Sequence, residues 1–342
     1  MKESDIKAVI DWCKSTGGIT ILSAIAIALI AAAHKGPYIL VNTFVTGGMW
    51  ALMAVGVALL FGVMNISNFA HGEYFMLGSL SAYYIIHPLK LYLQKNPNAF
   101  LAFITPLLGI VGAVVVGAVA GVVTDKLIFA QLRKRNRDNW LLNCFLITIG
   151  LSVIMMNAHM LIFGNTFKGI VNFWDIPAAR IFGVYISVDR IVVVFIAMIA
   201  MLVFWALIKF STLGKMIRAV AQDEKGAGMV GISVNGVHTI TFALACGFAA
   251  LAGGSLLFMF PSYPTVGLAP LYNSWFIIIL VGFGNVAGAV PGGFIVALFQ
   301  VLTRTYFGEG WDNVIPMILI SFILIFKPYG IFETKVRTVW EQ

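Results

Sequence analysis

The sequence predicts an all-α fold, a polytopic transmembrane helical bundle of about 8–10 membrane segments, because of its composition and its long apolar runs. Of its 342 residues, 60% are hydrophobic and only 11% are charged. A soluble domain normally has about 25% charged residues, so a lipid-facing surface accounts for the apolar excess. No hydrophilic segment is long enough to form a separate domain, and we expect one transmembrane domain over residues 1–342.

Ten apolar segments are the predicted helices. They are 17–34, 38–61, 66–87, 100–130, 140–163, 190–209, 237–260, 270–281, 294–304 and 313–327. The first follows a mixed-charge stretch and ends in small residues, as a cleavable signal does, but we interpret it as the first spanning helix.

Basic residues cluster between the apolar runs in three regions. They are Arg133, Lys134, Arg135 and Arg137; Lys209, Lys215, Arg218 and Lys225; and Lys327, Lys335 and Arg337. Cytoplasmic loops of membrane proteins have this excess, so we expect both termini in the cytoplasm. The net charge of +8 then reflects topology. Nucleic-acid binding, which needs a continuous basic surface, is not expected.

Two segments near the end of the chain, 270–281 and 294–304, are each too short to cross a bilayer. The stretch between them, Gly282 to Gly293, is rich in glycine and contains proline, which makes it a poor helix. Irregular backbone at membrane depth is tolerated only when it is buried in protein or lines a cavity. We therefore expect a re-entrant pair that lines a cavity, the alternative being a surface turn between two tilted helices.

An earlier segment is similar to this one. Gly62-Val-Met-Asn65 and Gly282-Phe-Gly-Asn285 share a Gly-x-x-Asn start, and glycines follow at Gly72 and Gly292 with the same offset of 220 residues. This similarity predicts an internal repeat. The two copies are expected to be parallel, because both enter the membrane from the outside. Transporter binding sites often lie where interrupted helices from two repeats meet.

The most unusual stretch places polar and ionisable residues between two apolar runs. An ionisable side chain at the centre of a spanning helix costs about 2.5–3.5 kcal/mol, so such residues usually face a pathway or the bundle interior. On a helix, Asn65, Asn68 and His71 share one face. The alternative is a helix cap at a membrane boundary, with Asn68 or Ser67 as the N-cap. The predicted translocation-pathway residues are Asn65, Asn68, His71, Glu73 and Asn285.

His71 and Glu73 are also the candidates for catalysis or metal binding. His-x-Glu is a weak pattern, because a metal site needs further ligands and no other histidine stands at a motif spacing. We therefore expect neither catalytic nor metal-binding residues, and expect that the chain is not an enzyme.

The loop 210–236 mixes small, apolar and charged residues. It is predicted to be a cytoplasmic coupling loop for a partner, since small residues permit close approach and charges set the register. The alternative is an amphipathic connector that lies on the membrane. The predicted coupling residues are Arg218, Ala219, Ala221, Asp223, Glu224, Ala227 and Gly231.

The sequence has no Gly-x-x-x-x-Gly-Lys-Ser/Thr loop for binding phosphate, and Gly214-Lys215 is followed by Met216. We therefore expect no cofactor in this chain. Concentrative transport then needs a partner ATPase or an ion gradient.

These stretches resemble a known family. Asn68 to Glu73, followed by an apolar helix, resembles the signature of permeases in the branched-chain amino-acid (LivH-type) ABC importer family. Gly282 to Gly293 is similar to the family's second Gly-rich element, and Lys327 to Ile331 to its ending. The stretch 218–232 resembles the coupling segment of the family, with Ala221, Asp223, Ala227 and Gly231 at matching places. The resemblance covers residues 38–332.

The resemblance implies a permease subunit that translocates branched-chain amino acids across the bacterial inner membrane. It also implies two cytoplasmic ATPase subunits that bind ATP, a second related permease subunit and an extracytoplasmic substrate-binding protein. Urea or short-chain amides are the alternative substrates, because close relatives transport them. The charged stretch 1–14 and the polar stretch 164–189 depart from the family pattern and leave the substrate open. A gradient-driven carrier or channel, and an intramembrane enzyme, are the rival classes.

Overall fold

The computed structural model describes residues 15–135, 140–170, 173, 176–181 and 183–332, and these form a helical bundle. The helices are α1 (Thr16–Lys35), α2 (Tyr38–Met64), α3 (His71–Lys95), α4 (Ala99–Thr124), α5 (Ala130–Arg135), α6 (Trp140–Phe163), α7 (Val188–Phe210), α8 (Thr212–Gln222), α9 (Glu224–Met229), α10 (Val234–Leu256), α11 (Leu268–Val281), α12 (Val286–Phe307) and α13 (Val314–Phe326). A π-helical turn, Asp125–Phe129, joins α4 to α5, and a 3₁₀ turn, Glu309–Trp311, precedes α13. Strands β1 (Ala179–Ile181) and β2 (Val184–Ile186) form one antiparallel hairpin with Arg180 opposite Tyr185.

Eight helical stretches among the described residues are long and apolar enough to cross a membrane. They are 16–35, 38–64, 99–134, 142–163, 188–210, 234–256, 286–307 and 309–326. Large apolar side chains on several of them point out of the bundle. On α4, for example, Val111, Val115 and Val119 recur at four-residue intervals and are each more than half exposed. This confirms the predicted polytopic transmembrane bundle.

The bundle has two ends, which we name by the elements found there. The hairpin end holds β1 and β2, and the α8–α9 end lies at the other terminus of α7. Thr16, at the start of α1, donates a hydrogen bond from Oγ1 to the carbonyl oxygen of Ile331 at 3.1 Å, so both ends of the described chain meet. Arg137, Lys335 and Arg337 of the predicted basic regions lie outside the described residues.

Glycines let the central helices α3, α4 and α10 approach closely. A Cβ on Gly253 of α10 would overlap the carbonyl oxygen of Phe75 on α3, and one on Gly121 of α4 would lie 3.1 Å from the Phe242 oxygen. Small residues at such crossings permit the van der Waals packing that holds membrane helices together. The pathway candidates on α3 therefore lie within a tightly packed core.

A buried ion pair fastens α4 to α10 near the α8–α9 end. Asp125 is fully buried and accepts two hydrogen bonds from the Arg133 guanidinium, at 2.9 and 3.2 Å. Thr239 on α10 donates a third from its hydroxyl, at 2.6 Å. A buried charge pair needs such additional bonds to offset the cost of desolvation. The hydrogen bond from Thr239 therefore stabilises the ion pair and also positions α10.

Two predicted helix boundaries are wrong. The helix predicted at 66–87 begins at His71 and ends at Lys95, because residues 65–70 are irregular. The segment predicted at 294–304 extends over Val286–Phe307 and is long enough to cross by itself, so the predicted re-entrant pair is wrong and only residues 282–285 of the predicted irregular stretch are irregular. Asn285 starts this helix early, since its side-chain oxygen accepts a hydrogen bond from the Gly288 N–H at 2.9 Å.

The glycine contact at Gly253 predicts a difference between two identical substitutions. Gly253→Ala should lower stability, with a cost of about 1–3 kcal/mol from overpacking against Phe75. Gly150→Ala on exposed α6 should be neutral or stabilising, because no atom lies within 4 Å of its Cβ position and alanine favours a helix by about 1 kcal/mol. Thermal denaturation of both variants in detergent measures the difference. Equal midpoints would contradict the importance of this contact.

Candidate functional site

The chain turns back into the bundle after α2. Asn65 ends α2 in the left-handed conformation, with φ 51° and ψ 43°, and its N–H donates to the Phe61 oxygen at 3.0 Å. His71, the first residue of α3, lies beside Gly56, where a Cβ would be 2.7 Å from its Nε2. Gly56 lies eight residues before Met64, so α3 begins about 12 Å inside the end of α2.

The irregular segment 65–70 is enclosed by protein. Thr148 of α6 accepts a hydrogen bond from the Phe69 N–H at 3.2 Å and donates to the Ser67 oxygen at 3.3 Å. The Asn68 side-chain oxygen accepts from the Ala70 N–H at 3.0 Å. The Phe69 ring stacks on Trp275 of α11, with centroids 5.0 Å apart. These bonds satisfy backbone groups that lipid would leave unpaired, and nothing in the sequence pattern indicated Thr148.

Asn68, His71 and Glu73 are all buried, none more than 1% exposed. Glu73 accepts a hydrogen bond from the Ser152 hydroxyl on α6 through Oε1, at 2.9 Å. Within the described part of the chain, Glu73 Oε2 and Asn68 Nδ2 have no hydrogen-bond partner. Unsatisfied polar atoms in a core are costly, so each calls for an explanation, such as a bound water or a functional role.

The starts of α3 and α11 meet inside the bundle. A Cβ on Gly72 would lie 2.5 Å from the carbonyl oxygen of Gly267, immediately before α11. From this contact α3 extends toward the hairpin end, where Tyr84 packs on Phe163, and α11 extends toward the α8–α9 end, where Val281 lies beside Gly330. A helix N-terminus has a partial positive charge of about half an elementary charge. The positive ends of both helices therefore lie at this contact, and Glu73 belongs to the first turn of α3.

The second predicted break consists of the four residues Gly282 to Asn285, where Gly282 and Gly284 have φ values of 106° and 79°. This segment contacts the first break directly. A Cβ on Gly62 would lie 2.9 Å from the Gly284 oxygen, and the Phe61 and Phe283 rings are 4.7 Å apart. Helices α2 and α11 both reach their breaks while running toward the α8–α9 end, which is the parallel sense expected of the repeat.

The structure separates the predicted pathway residues into two groups. Asn65 and Asn285 lie at the breaks, where Asn285 Nδ2 donates to the Phe332 oxygen at 3.1 Å. Asn68, His71 and Glu73 lie deeper. The predicted shared helix face of Asn65, Asn68 and His71 is wrong, because residues 65–70 are not helical. The predicted cap is also wrong, since α3 begins after Ala70 without a side-chain cap.

The loop 210–236 folds into α8 and α9 and packs on the bundle. The Ser211 hydroxyl accepts from the Gly214 N–H at 2.9 Å, which starts α8. Helix α8 buries Gly214, Ile217 and Val220, and Arg218 donates a hydrogen bond to the Ile208 oxygen at the end of α7. One face of this amphipathic helix is therefore occupied by α7 and the bundle core.

The predicted coupling residues differ in exposure. Ala219 is half-buried and Ala227 is buried, so Ala227 cannot itself contact a partner. The rest are exposed, namely Arg218, Ala221, Asp223, Glu224 and Gly231. Two apolar side chains outside the predicted set, Met229 and Val230, are 83% and 77% exposed beside these charges. The sequence feature that could have identified them is a pair of adjacent apolar residues in a charged loop.

The chain matches one family model, described as the permease component of branched-chain amino acid transport systems, over residues 39–326. It is also similar to curated proteins. It is 27% identical to the high-affinity branched-chain amino acid transport system permease protein LivH of Escherichia coli K12 over 295 residues, or 85% of this chain and 93% of that protein.

Similar proteins are found in two further organisms. The permease protein BraD of Pseudomonas aeruginosa, of the same description, is 28% identical over 300 residues, or 85% of this chain and 94% of that protein. The probable branched-chain amino acid transport permease protein LivH of Methanocaldococcus jannaschii is 25% identical over 315 residues, covering 86% and 91%. No solved structure gives a significant match.

Proposed function

We propose, since this chain belongs to the family of branched-chain amino-acid permeases, that it is the membrane subunit of an ATP-binding-cassette importer of branched-chain amino acids. The observation that supports this most is the extent of the family match, residues 39–326, which includes both breaks and the α8–α9 end. The substrate comes from the names of the similar proteins. The chain has no phosphate-binding loop of its own, so ATP hydrolysis is assigned to a partner.

The proposed orientation places the α8–α9 end in the cytoplasm of a bacterial cell whose inner membrane contains the bundle. Basic residues such as Lys209, Lys215 and Arg218 lie at this end, as cytoplasmic loops favour. The hairpin end then faces an extracytoplasmic binding protein that delivers the substrate. A second, related permease subunit completes the membrane core, and two ATPase subunits bind on the cytoplasmic side.

The proposed translocation path passes the contact between the starts of α3 and α11. Asn68, His71 and Glu73 lie there, and Asn65 and Asn285 lie where the path would open at the α8–α9 end. Interrupted helices whose starts meet within the membrane are a common construction of transporter sites. The buried unpaired atoms on Glu73 and Asn68 support this placement.

The function is tested with the complete transporter reconstituted in proteoliposomes, together with its ATPase subunits, partner permease and binding protein. We expect ATP-dependent uptake of leucine, isoleucine and valine, and no uptake without the ATPase subunits. Uptake of urea or acetamide in place of leucine would reassign the substrate. Leucine flux through this chain alone would favour a gradient-driven carrier or a channel.

Glu73→Ala is expected to reduce leucine uptake at least about tenfold, which corresponds to ~1.4 kcal/mol. The substitution removes the acceptor of the Ser152 hydrogen bond and the buried carboxyl group beside the helix starts. Glu73→Gln keeps an acceptor and should retain more uptake. Both variants should still bind the ATPase subunits, which lie at the other side of the break. Normal uptake by the alanine variant would remove Glu73 from the pathway.

The exposed pair Met229 and Val230 is the predicted contact site for the ATPase subunit. Met229→Asp places a charge in an exposed apolar pair and should weaken co-purification of the ATPase at least about tenfold, because interface cores are depleted of charge. Ile176→Asp is the matched control, because Ile176 is an exposed apolar residue at the hairpin end, outside the membrane spans. The measurement is the ratio of ATPase to permease after affinity purification. An unchanged ratio for Met229→Asp would place the interface elsewhere.

A further inference from the structure

A pocket of about 390 Å³ opens at the hairpin end. It is lined by residues from α2, α11 and α12, the start of α7 and the turn before α13, and by the segment between α10 and α11. Its volume is in the range of small-molecule sites, about 300–1,000 Å³. None of the residues predicted from sequence to line the pathway belongs to it.

The polar floor of the pocket is a chain of side-chain hydrogen bonds, of which the one between Gln300 and Asn273 is buried and the others are partly buried. Trp50 Nε1 donates to Gln300 Oε1 at 2.7 Å. Gln300 Nε2 donates to the side-chain oxygens of Asn273, at 2.6 Å, and of Asn313, at 3.1 Å. Both asparagines are engaged through their oxygens, so each keeps an NH₂ group for another acceptor. A carboxylate in the pocket would be such an acceptor.

Two opposite charges lie in the same pocket. Arg304 Nη2 pairs with Asp312 Oδ2 at 2.8 Å, and the Arg304 side chain is 52% exposed. Arg190, whose guanidinium donates to the Asn42 side-chain oxygen at 3.3 Å, lies at the rim. A partly exposed ion pair is held weakly. A zwitterionic ligand can therefore replace both partners of this pair, with its carboxylate on Arg304 and its ammonium group on Asp312.

Much of the remaining wall is apolar. Met49, Leu256, Met259 and Val266 line it, and Tyr263 adds an aromatic ring. An apolar wall opposite a polar floor suits a molecule with a small charged group at one end and a branched aliphatic group at the other.

We propose that this pocket is a receiving site in which the permease itself binds a zwitterionic amino acid with an apolar side chain. Arg304 and the NH₂ groups of Asn273 and Asn313 bind the carboxylate, Asp312 binds the ammonium group, and the apolar wall contacts the side chain. The inference rests on the proposed function and adds a selectivity step on the permease, after release from the binding protein and before the α3–α11 contact.

Protection of an introduced cysteine tests the site in the assembled membrane complex of both permeases and the ATPase subunits, in right-side-out vesicles without ATP and without the binding protein. Ala269→Cys places the reporter on the pocket wall, where Ala269 is exposed, and Asn165→Cys is the matched control in the neighbouring loop. Cys144 and Cys246 are buried and can remain, while Cys13 is replaced by serine. A membrane-impermeant maleimide measures the labelling rate.

Millimolar leucine should slow labelling of Ala269→Cys at least threefold and leave Asn165→Cys unchanged. Leucinamide, which lacks the carboxylate, and 4-methylpentanoate, which lacks the ammonium group, should give no protection. Absence of protection by leucine would overturn the inference. Protection only when the binding protein is added would also overturn it, because the pocket would then be a protein-docking surface. ATP-driven leucine uptake by vesicles of the same preparation, loaded with ATP and supplied with the binding protein, keeps the proposed function in either case. Uptake of urea but not of leucine would overturn both the proposed function and this site.

Exchange of the two charges separates ligand binding from a structural ion pair. R304D and D312R should each abolish protection by leucine. The double variant R304D/D312R retains an ion pair but reverses its order, so protection should remain lost. Recovery of protection in the double variant would mean that the pair serves only to join α12 to the turn before α13.

Discussion

Two membrane helices, α3 and α11, begin inside the bundle, where Gly72 and Gly267 bring their first turns into backbone contact. This contact governs much of the surrounding architecture, because a helix that begins within a membrane exposes N–H groups that only protein can satisfy. The chain must also reach the interior without a helix. Residues 65–70 do so along α6, and Thr148 and Asn68 satisfy their backbone groups.

The same contact explains why polar residues are buried here. Glu73 lies in the first turn of α3, where the helix dipole favours a negative group. Ser152 occupies one of its oxygens and leaves the other without a partner among the described residues. Such an arrangement costs stability, and the glycine packing of α3, α4 and α10 offsets the cost by dispersion. The buried polar residues therefore depend on the close packing of these three helices.

Helix α11 connects three features of the molecule. Its first turns contribute Ala269 and Asn273 to the pocket at the hairpin end. Its start touches Gly72, and its last residue precedes the break that contacts Gly62. A shift of this one short helix would alter the pocket, the interior contact and the break at once. The pocket at the hairpin end and the break at the α8–α9 end thus have a common structural element between them.

Several features were predictable from sequence because they follow from local chemistry. The apolar runs predicted the spans, and α1, α2 and α6 lie within a few residues of their predicted ranges. The Gly-x-x-Asn segments indicated both breaks, since glycine tolerates the positive φ values found at Gly282 and Gly284. Other features were missed because they depend on partners distant in the chain. Trp50 and Gln300 are separated by 250 residues, and Thr148 and Ser67 by 81.

The sequence by itself determined a polytopic helical bundle, its family and the location of its two breaks, because composition and local backbone preference are properties of neighbouring residues. Only the tertiary structure decided where α3 begins, why α12 crosses as one helix, and which coupling residues are exposed. Those outcomes depend on capping by Asn285, on the enclosure of residues 65–70 by α6 and on the packing of α8. The Asn285 cap is local, and only the structure shows that it starts a helix despite the glycines and proline that follow it. The enclosure of residues 65–70 joins segments about 80 residues apart, and neither hydrophobic periodicity nor motif spacing records such a contact.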